Sequence, residues 1–290
     1  MQNQKGNLPS LEAARAYFEI KAGAISRPYG KFLNRMEGRM RAKVARRFKA
    51  QKEWVIDKMA SLSFFDDTKG IARLETKTIY DDVRNFVNGI PYNTDMVADI
   101  IAVARPSYRK GVDRGIRELD LGRFGVTFNL VNSEAVDYLR SIRDLHLSDF
   151  KGSIGRVTRE KIRKILTESA ETGRSYAETA KLIESQGREG VFSRARAELI
   201  AVNQVGHAFG QGNLDIVESF IIETSSIVQK YWQTVNDDKV TPECQENQSR
   251  GWIGFNESFP SKDDRAPRAG NPRCRCVTSF RMVDTQGNPI

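Results

Sequence analysis

All three cysteines of this 290-residue chain lie in its last third. Cys244 is followed by the pair Cys274 and Cys276, and the first 243 residues contain no cysteine. Thiolates bind zinc, and paired thiols form disulfides. The surrounding segment is rich in loops and too small to stay folded on a core of its own. We therefore expect the sulfurs to hold this segment closed, through a metal or through a disulfide.

The net charge of +9 is concentrated at the N-terminal end of the sequence. Residues 1–60 contain 14 Lys and Arg against 5 Asp and Glu, whereas the rest of the chain is balanced. A local excess indicates contact with a polyanion or with an acidic partner surface, and a solvated helix face is the alternative. If seven cations met phosphates of duplex DNA, the affinity would fall with a log–log salt slope of about −6. The densest stretch has Glu37 as its single acid and contains Arg35, Arg39, Arg41, Lys43, Arg46, Arg47 and Lys49.

The sequence carries little that would support catalysis. His146 and His207 are its only histidines, and a lone His on a helix is more often a satisfied polar residue than a catalyst. Asp237 and Asp238 are adjacent, which favours a turn over a carboxylate pair, because neighbouring side chains in a hairpin point to opposite faces. The sequence has no nucleophile elbow and no base beside a cysteine. We therefore expect a protein that is not an enzyme.

Helices position most of these residues. From Lys31 to about Ser61 apolar residues recur roughly every fourth position, which predicts a long helix with an apolar stripe beside a basic face. A short helix over 10–22 precedes it, and Pro28 predicts a break between the two. Other helices are predicted over 69–87, 95–118, 133–145, 157–172, 175–186 and 193–218, with a kink or break at Pro106. Extended stretches are predicted over 226–235 and 276–283. The apolar stripe consists of Phe32, Met36, Met40, Val44, Phe48, Val55 and Met59.

This order of elements predicts an α+β fold with two regions. A small-residue stretch at 146–155 separates a helical, basic N-terminal region, residues 1–150, from a C-terminal domain, residues 151–290. That domain is expected to have helices followed by a small, loop-rich β-subdomain. No run of about 18 apolar residues occurs, so no membrane-spanning segment is predicted.

Residues 157–283 contain short motifs in a fixed order. In this order they resemble the C-terminal domain of phage head-morphogenesis proteins, the family of the phage Mu F-like minor head protein. The N-terminal half carries no motif of that kind. The series consists of Gly173–Tyr176, Arg194–Ala201, Gly210–Leu214, Trp232-x-Thr234, Asp237-Asp238-x-Val240-x-Pro242, Phe259-Pro260 and Asn271–Cys276.

The cysteine segment departs from the family's pattern at two positions. The family often has Cys-x-x-Cys after the Asp-Asp turn and His-Pro before Cys-x-Cys, whereas this chain has Thr241 and Asn271 there. Tetrahedral structural zinc needs four ligands and the cysteines supply three. The fourth would be His207 or Asp237. Zinc, a disulfide from Cys244 to one of the other two cysteines, and three reduced thiols in a small core all stay open, and no other cofactor is expected.

The resemblance implies a phage minor head (capsid) protein that is associated with the portal and acts in head assembly and genome delivery. Its expected partners are the portal protein, capsid or scaffolding proteins, and double-stranded DNA bound without sequence preference. Its expected location is the virion, inside the head near the portal, after synthesis in the host cytoplasm. Two alternatives are a DNA-binding or scaffolding protein without portal contact, and a latent nuclease or toxin-type module.

Overall fold

A computed structural model describes residues 11–62, 65, 76–90, 94–127, 132–147, 154–185, 190–235, 240–263, 265–267, 271 and 273–290. Within these ranges the chain is mostly helical, with a small three-stranded antiparallel sheet near the C-terminus, which confirms the α+β prediction. A 3-10 helix, Leu121–Phe124, follows the third helix. The helices are α1 (Leu11–Met59), α2 (Thr76–Gly89), α3 (Thr94–Glu118), α4 (Asn132–Leu147), α5 (Ile154–Glu171), α6 (Tyr176–Glu184), α7 (Arg194–Thr224) and α8 (Pro242–Ser249), and the strands are β1 (Val228–Gln233), β2 (Ile253–Gly254) and β3 (Val277–Met282).

The basic segment lies on α1, which is longer than predicted. This helix runs through Pro28, so the predicted break was wrong. A proline inside a helix removes one backbone hydrogen bond and costs about 3 kcal/mol, which tertiary packing can offset. The next residue supplies such packing, because Tyr29 is buried and its ring lies 5.7 Å from that of Phe209 on α7. The predicted apolar stripe is confirmed, with Phe32 partly buried and Met36, Met40, Val44, Phe48, Val55 and Met59 fully buried.

The centre of the fold is the close crossing of α3 and α7. A Cβ added to Gly111 would overlap the carbonyl oxygen of Phe209, and one added to Gly212 would overlap that of Tyr108. Only glycine permits this approach of two helix backbones. The same packing explains why α3 continues through Pro106, where a kink or break was predicted and no break occurs.

Two predicted helix starts are confirmed by their capping contacts. The Ser193 hydroxyl accepts from the Arg196 amide at 3.1 Å, and Ser175 forms a reciprocal capping box with Glu178 ahead of α6. Such caps satisfy amide groups that a helix start leaves without partners. The side chain of Arg196 also donates to the Ile154 carbonyl at 3.0 Å, which joins α7 to the start of α5.

The small sheet has the strand order β2-β1-β3, and both pairs are antiparallel. On β1, Trp232 lies opposite Thr278 of β3. Helix α8 was not predicted, because its sequence Pro-Glu-Cys-Gln-Glu-Asn-Gln-Ser has no apolar periodicity. It buries only Cys244 and Asn247, and a proline at the first helical turn starts it.

One hydrophobic cluster contains residues of α1, α3, α5, α7 and β3, so helices on both sides of the predicted domain boundary share a core. The division at 146–155 stays a prediction, and residues 148–153 lie outside the described part of the chain. A second, smaller cluster surrounds Trp232. In the ranges that the structure covers, no helix combines the length and apolarity needed to cross a bilayer.

Candidate functional site

The three cysteines converge on one buried point. Cys244 lies in the first turn of α8, and Cys274 and Cys276 lie in the segment that leads into β3. All three side chains are buried, and their Sγ atoms lie within 4.8 Å of one another. Cys244 Sγ is 3.9 Å from Cys274 Sγ, and no disulfide joins any two of the three cysteines. We call these residues the thiol cluster.

Aromatic packing and one hydrogen bond fix the thiol cluster in place. The Trp232 ring meets the Phe259 ring edge-on at 5.1 Å, and both belong to the small core that contains the three cysteines. The backbone amide of Arg273 donates to the Asn203 side chain on α7 at 2.9 Å. The cysteine segment is therefore attached to the long helix that carries the rest of the domain.

Two polar residues lie directly beside the sulfurs. The Asn271 amide nitrogen donates to Thr241 Oγ1 at 3.3 Å and to Cys244 Sγ at 3.7 Å. These are the two positions at which the cysteine segment was expected to depart from the pattern of the family that it resembles. A cavity of about 310 Å³ opens over the thiol cluster and is lined by these two side chains and by Glu198 of α7.

The sulfurs influence one another electrostatically. The hydrogen bond with Cys274, then burial, then the nearby charge of Cys274 and Cys244 raise the pKa of Cys276 far above the range of a free thiol, although the Trp232 side chain acts in the opposite direction. The neighbouring sulfurs and burial thus disfavour the thiolate form of Cys276. Cys276 is therefore unsuited to act as a free thiolate nucleophile.

The other two predicted ligands do not join this group. His207 lies on α7, where burial, then the charge of Arg265, lower its pKa, while Asp263 opposes them. Among the described residues, the side chains that lie close enough together to share a metal ion are those of the three cysteines, and His207 is not one of them. Asp237 lies outside the described residues. The side chain of His146, the other histidine, is also outside them.

The basic segment divides into two groups on α1. Arg35, Arg39, Arg46 and Lys49 are exposed. At about 100° per residue these four positions, together with exposed Lys31, lie on the helix face opposite the buried stripe. We call these five residues the cation stripe. Within the described part of the chain, Lys49 has one weak ion pair with Glu53 at 3.9 Å, and no ion pair joins the other four to a carboxylate.

The second group is engaged inside the fold. Lys43 and Arg47 both bind Asp99 of α3, and Arg47 also reaches Asp95 at 3.2 Å. Arg41 is half-buried and its charge acts on Glu37. Lys43 and Arg47 hold α1 against α3, so these two cations are less available to an outside partner than the cation stripe.

Sequence reasoning missed the residues that receive these contacts. Asp99 and Asp95 open α3 with no pattern that marks them as partners of α1. Arg114 of α3 is fully buried, where it donates to Ser279 of β3 at 2.9 Å and lies beside Glu118. Asn203 and Glu198 lie on α7 at positions that helical periodicity alone would assign to its polar side. Each is recognisable only from the contacts between distant elements.

One comparison with known proteins identifies a family for the C-terminal part of the chain. The family model described as Phage Mu protein F like protein matches residues 160–279, which span α5 to β3 and include the whole thiol cluster. No curated protein and no solved structure matches the chain significantly. The match excludes α1 to α4 and therefore the cation stripe. Residues 160–279 are a Phage Mu protein F-like domain, and the family that carries this domain is one of phage head-morphogenesis and minor capsid proteins.

Proposed function

We propose that this chain is a minor structural protein of a phage head, associated with the portal, whose cation stripe contacts packaged duplex DNA. The family of the C-terminal domain supports the head assignment. The observation that carries the DNA contact is the placement of the stripe, on the face of α1 opposite its buried side chains. A face of that kind is free to meet a partner without disturbing the core.

The cation stripe is long enough to contact several phosphates of a duplex. From Lys31 to Lys49 the helix rises by about 27 Å. Arginine and lysine side chains of this reach bind phosphate oxygens without reading bases. The contact is therefore independent of DNA sequence, as a protein that meets any part of a genome requires.

The division of the basic segment lowers the expected salt dependence. With Lys43 and Arg47 engaged by Asp99, and Arg41 half-buried, the four exposed cations of the predicted set remain. Four phosphate contacts give a log–log slope of about −4, instead of about −6 for all seven. Lys31 as a fifth contact would bring the slope to about −4.5.

A charge-reversal variant tests this function. Changing Arg35, Arg39, Arg46 and Lys49 together to Glu should abolish salt-dependent binding to a 30-base-pair duplex of arbitrary sequence, measured by fluorescence anisotropy across a KCl series. In infection, particles with the variant should lose head incorporation or DNA delivery. The matched control reverses four exposed cations elsewhere, namely Arg105, Arg163, Lys164 and Arg250.

The outcomes separate the partners. If the stripe variant binds the duplex like the control and particles incorporate it and deliver DNA normally, the assignment is wrong. If DNA binding is unchanged but the variant no longer co-purifies with portal, the partner of the cation stripe is an acidic protein surface and not DNA. Loss of DNA binding with normal portal association supports the contact with packaged DNA.

A further inference from the structure

We propose that Cys244, Cys274 and Cys276 bind a thiophilic divalent ion such as Zn²⁺ through three thiolates, with the fourth coordination position open to the adjoining cavity. The proposal rests on the sulfur geometry, on the two polar residues beside it and on the charges that line the cavity. It is independent of the DNA contact of α1.

The separation of the sulfurs matches a metal site. With Zn–S bonds of about 2.3 Å in tetrahedral geometry, two bound sulfurs lie about 3.8 Å apart. Cys244 Sγ and Cys274 Sγ are 3.9 Å apart, and the third sulfur lies within 4.8 Å of both. A disulfide would use two of the three and leave the last thiol without a role. A metal uses all three.

The fourth position differs from that of a closed structural site. Thr241 and Asn271 line the cavity beside the sulfurs, and a neutral hydroxyl and a carboxamide are poor zinc ligands beside thiolates. The 310 Å³ cavity meets the cluster on this side. Three protein ligands with one open position is the arrangement in which zinc keeps an exchangeable water or accepts a ligand from outside.

The surroundings suit the charge of the bound state. Binding releases one proton from each thiol to solvent, so Zn²⁺ with three thiolates carries a net charge of −1. Arg273 and Arg275 line the same cavity opposite the single carboxylate of Glu198, and Arg275 also pairs with Glu37 at 3.1 Å. The Asn271 amide donates to Cys244 Sγ. Positive side chains and N–H donors near the sulfurs stabilise this excess negative charge.

The metal would also compensate for a small core. The cluster around Trp232 contains few apolar side chains, and α8 buries only two residues. A metal that binds the folded but not the unfolded segment stabilises it by mass action. The bound ion then joins α8 to the strand segment before β3, which are distant in sequence.

Metal content and spectroscopy of the full chain test the proposal. Protein purified under reducing conditions should contain about one equivalent of zinc, and Cd²⁺ in place of zinc should give the ultraviolet charge-transfer band of thiolate ligands. Changing Cys244→Ser should remove both the zinc and the band. His207→Gln is the control, and it should leave both unchanged because His207 lies outside the cluster.

A gain-of-ligand variant keeps the test decisive if the serine variant fails to fold. Thr241→Cys places a fourth sulfur next to the Asn271 amide that already contacts Cys244, so it should tighten zinc binding by at least tenfold in competition with a chelator. It should also convert Co²⁺ spectra to those of a four-thiolate site. Absence of metal with three titratable thiols, a loss of two mass units that shows a disulfide, or no gain from Thr241→Cys would each overturn the proposal.

Discussion

The carboxylate of Asp99 accepts a hydrogen bond from the guanidinium of Arg47, with Oδ2 2.9 Å from Nε, and this contact joins α1 to α3. Lys43 binds the other oxygen of the same carboxylate. Although both cations belong to the basic segment, their charges are paired with a carboxylate of the protein itself. The contact therefore separates cations that hold the fold together from those that face solvent.

Replacing Asp99 by Asn should lower the free energy of unfolding by about 1–2 kcal/mol at pH 7. Burial alone would raise the pKa of Asp99, but the hydrogen bonds and charges of Lys43 and Arg47 outweigh burial and lower the pKa. A lowered pKa contributes stability above the unfolded value of about 4, and this stability is lost as the pH falls through the folded value. The difference in the free energy of unfolding between the unchanged protein and Asp99→Asn, measured by urea titration, should therefore narrow as the pH falls below about 4.

Asp57→Asn is the control for that measurement. Its ion pair with Lys58 is exposed, so the substitution should change stability by less than about 0.5 kcal/mol. An Asp99→Asn deficit that stays equal from pH 7 down to the lowest pH at which both proteins fold would show that the ion pairs are not its cause.

Gly212→Ala should destabilise the protein by about 3 kcal/mol or more, because the new methyl group overlaps the Tyr108 carbonyl and forces α3 and α7 apart. Gly38→Ala on α1 is the matched control. Its Cβ meets nothing within 4 Å, so it should raise stability by about 0.5–1 kcal/mol through the helix preference of alanine. Thermal or urea unfolding measures both, and equal effects would mean that the helix crossing tolerates expansion.

Local patterns predicted those elements whose signals are contained in a few neighbouring residues. The stripe from Met36 to Met59, the Ser175 capping box and the Ser193 cap are of this kind. The break predicted at Pro28 was wrong, and α3 continues without a break through Pro106, because packing against α7 offsets the lost hydrogen bonds.

Long-range relationships were harder to predict. The gathering of three cysteines followed from their confinement to one segment, but the contact of Asn203 with the Arg273 amide joins residues that are distant in sequence. Helix α8 lacks an apolar face because Cys244 and Asn247 are its only buried residues, so periodicity gave no signal. The partners of Lys43 and Arg47 likewise depend on how α1 packs against α3, which no local pattern contains.

Tyr108→Phe should cost about 1–3 kcal/mol, because it removes a buried hydrogen bond between α3 and α7. The Tyr108 hydroxyl donates to Asp215 Oδ2 at 2.6 Å, and Gln211 donates to the other oxygen. Burial raises the pKa of Asp215, although the hydrogen bonds from both donors act to lower it. The buried carboxylate has lost its contacts with water, and these two hydrogen bonds replace part of them. Tyr80→Phe removes a hydroxyl that donates to Glu171 at the surface, and it should cost less than about 0.5 kcal/mol.

A double-mutant cycle between Tyr108→Phe and Asp215→Ala assigns that cost to the pair. Urea unfolding of the two single variants and the double variant should give a coupling energy of about 1–2 kcal/mol, because each single variant already removes the shared hydrogen bond. Additive effects would show that the hydrogen bond is not the source of the stabilisation, because phenylalanine keeps the ring that stacks on Tyr138 at a centroid distance of 5.4 Å. Since Tyr108 also supplies the carbonyl that Gly212 approaches, loss of this bond should make the α3–α7 crossing more tolerant of Gly212→Ala.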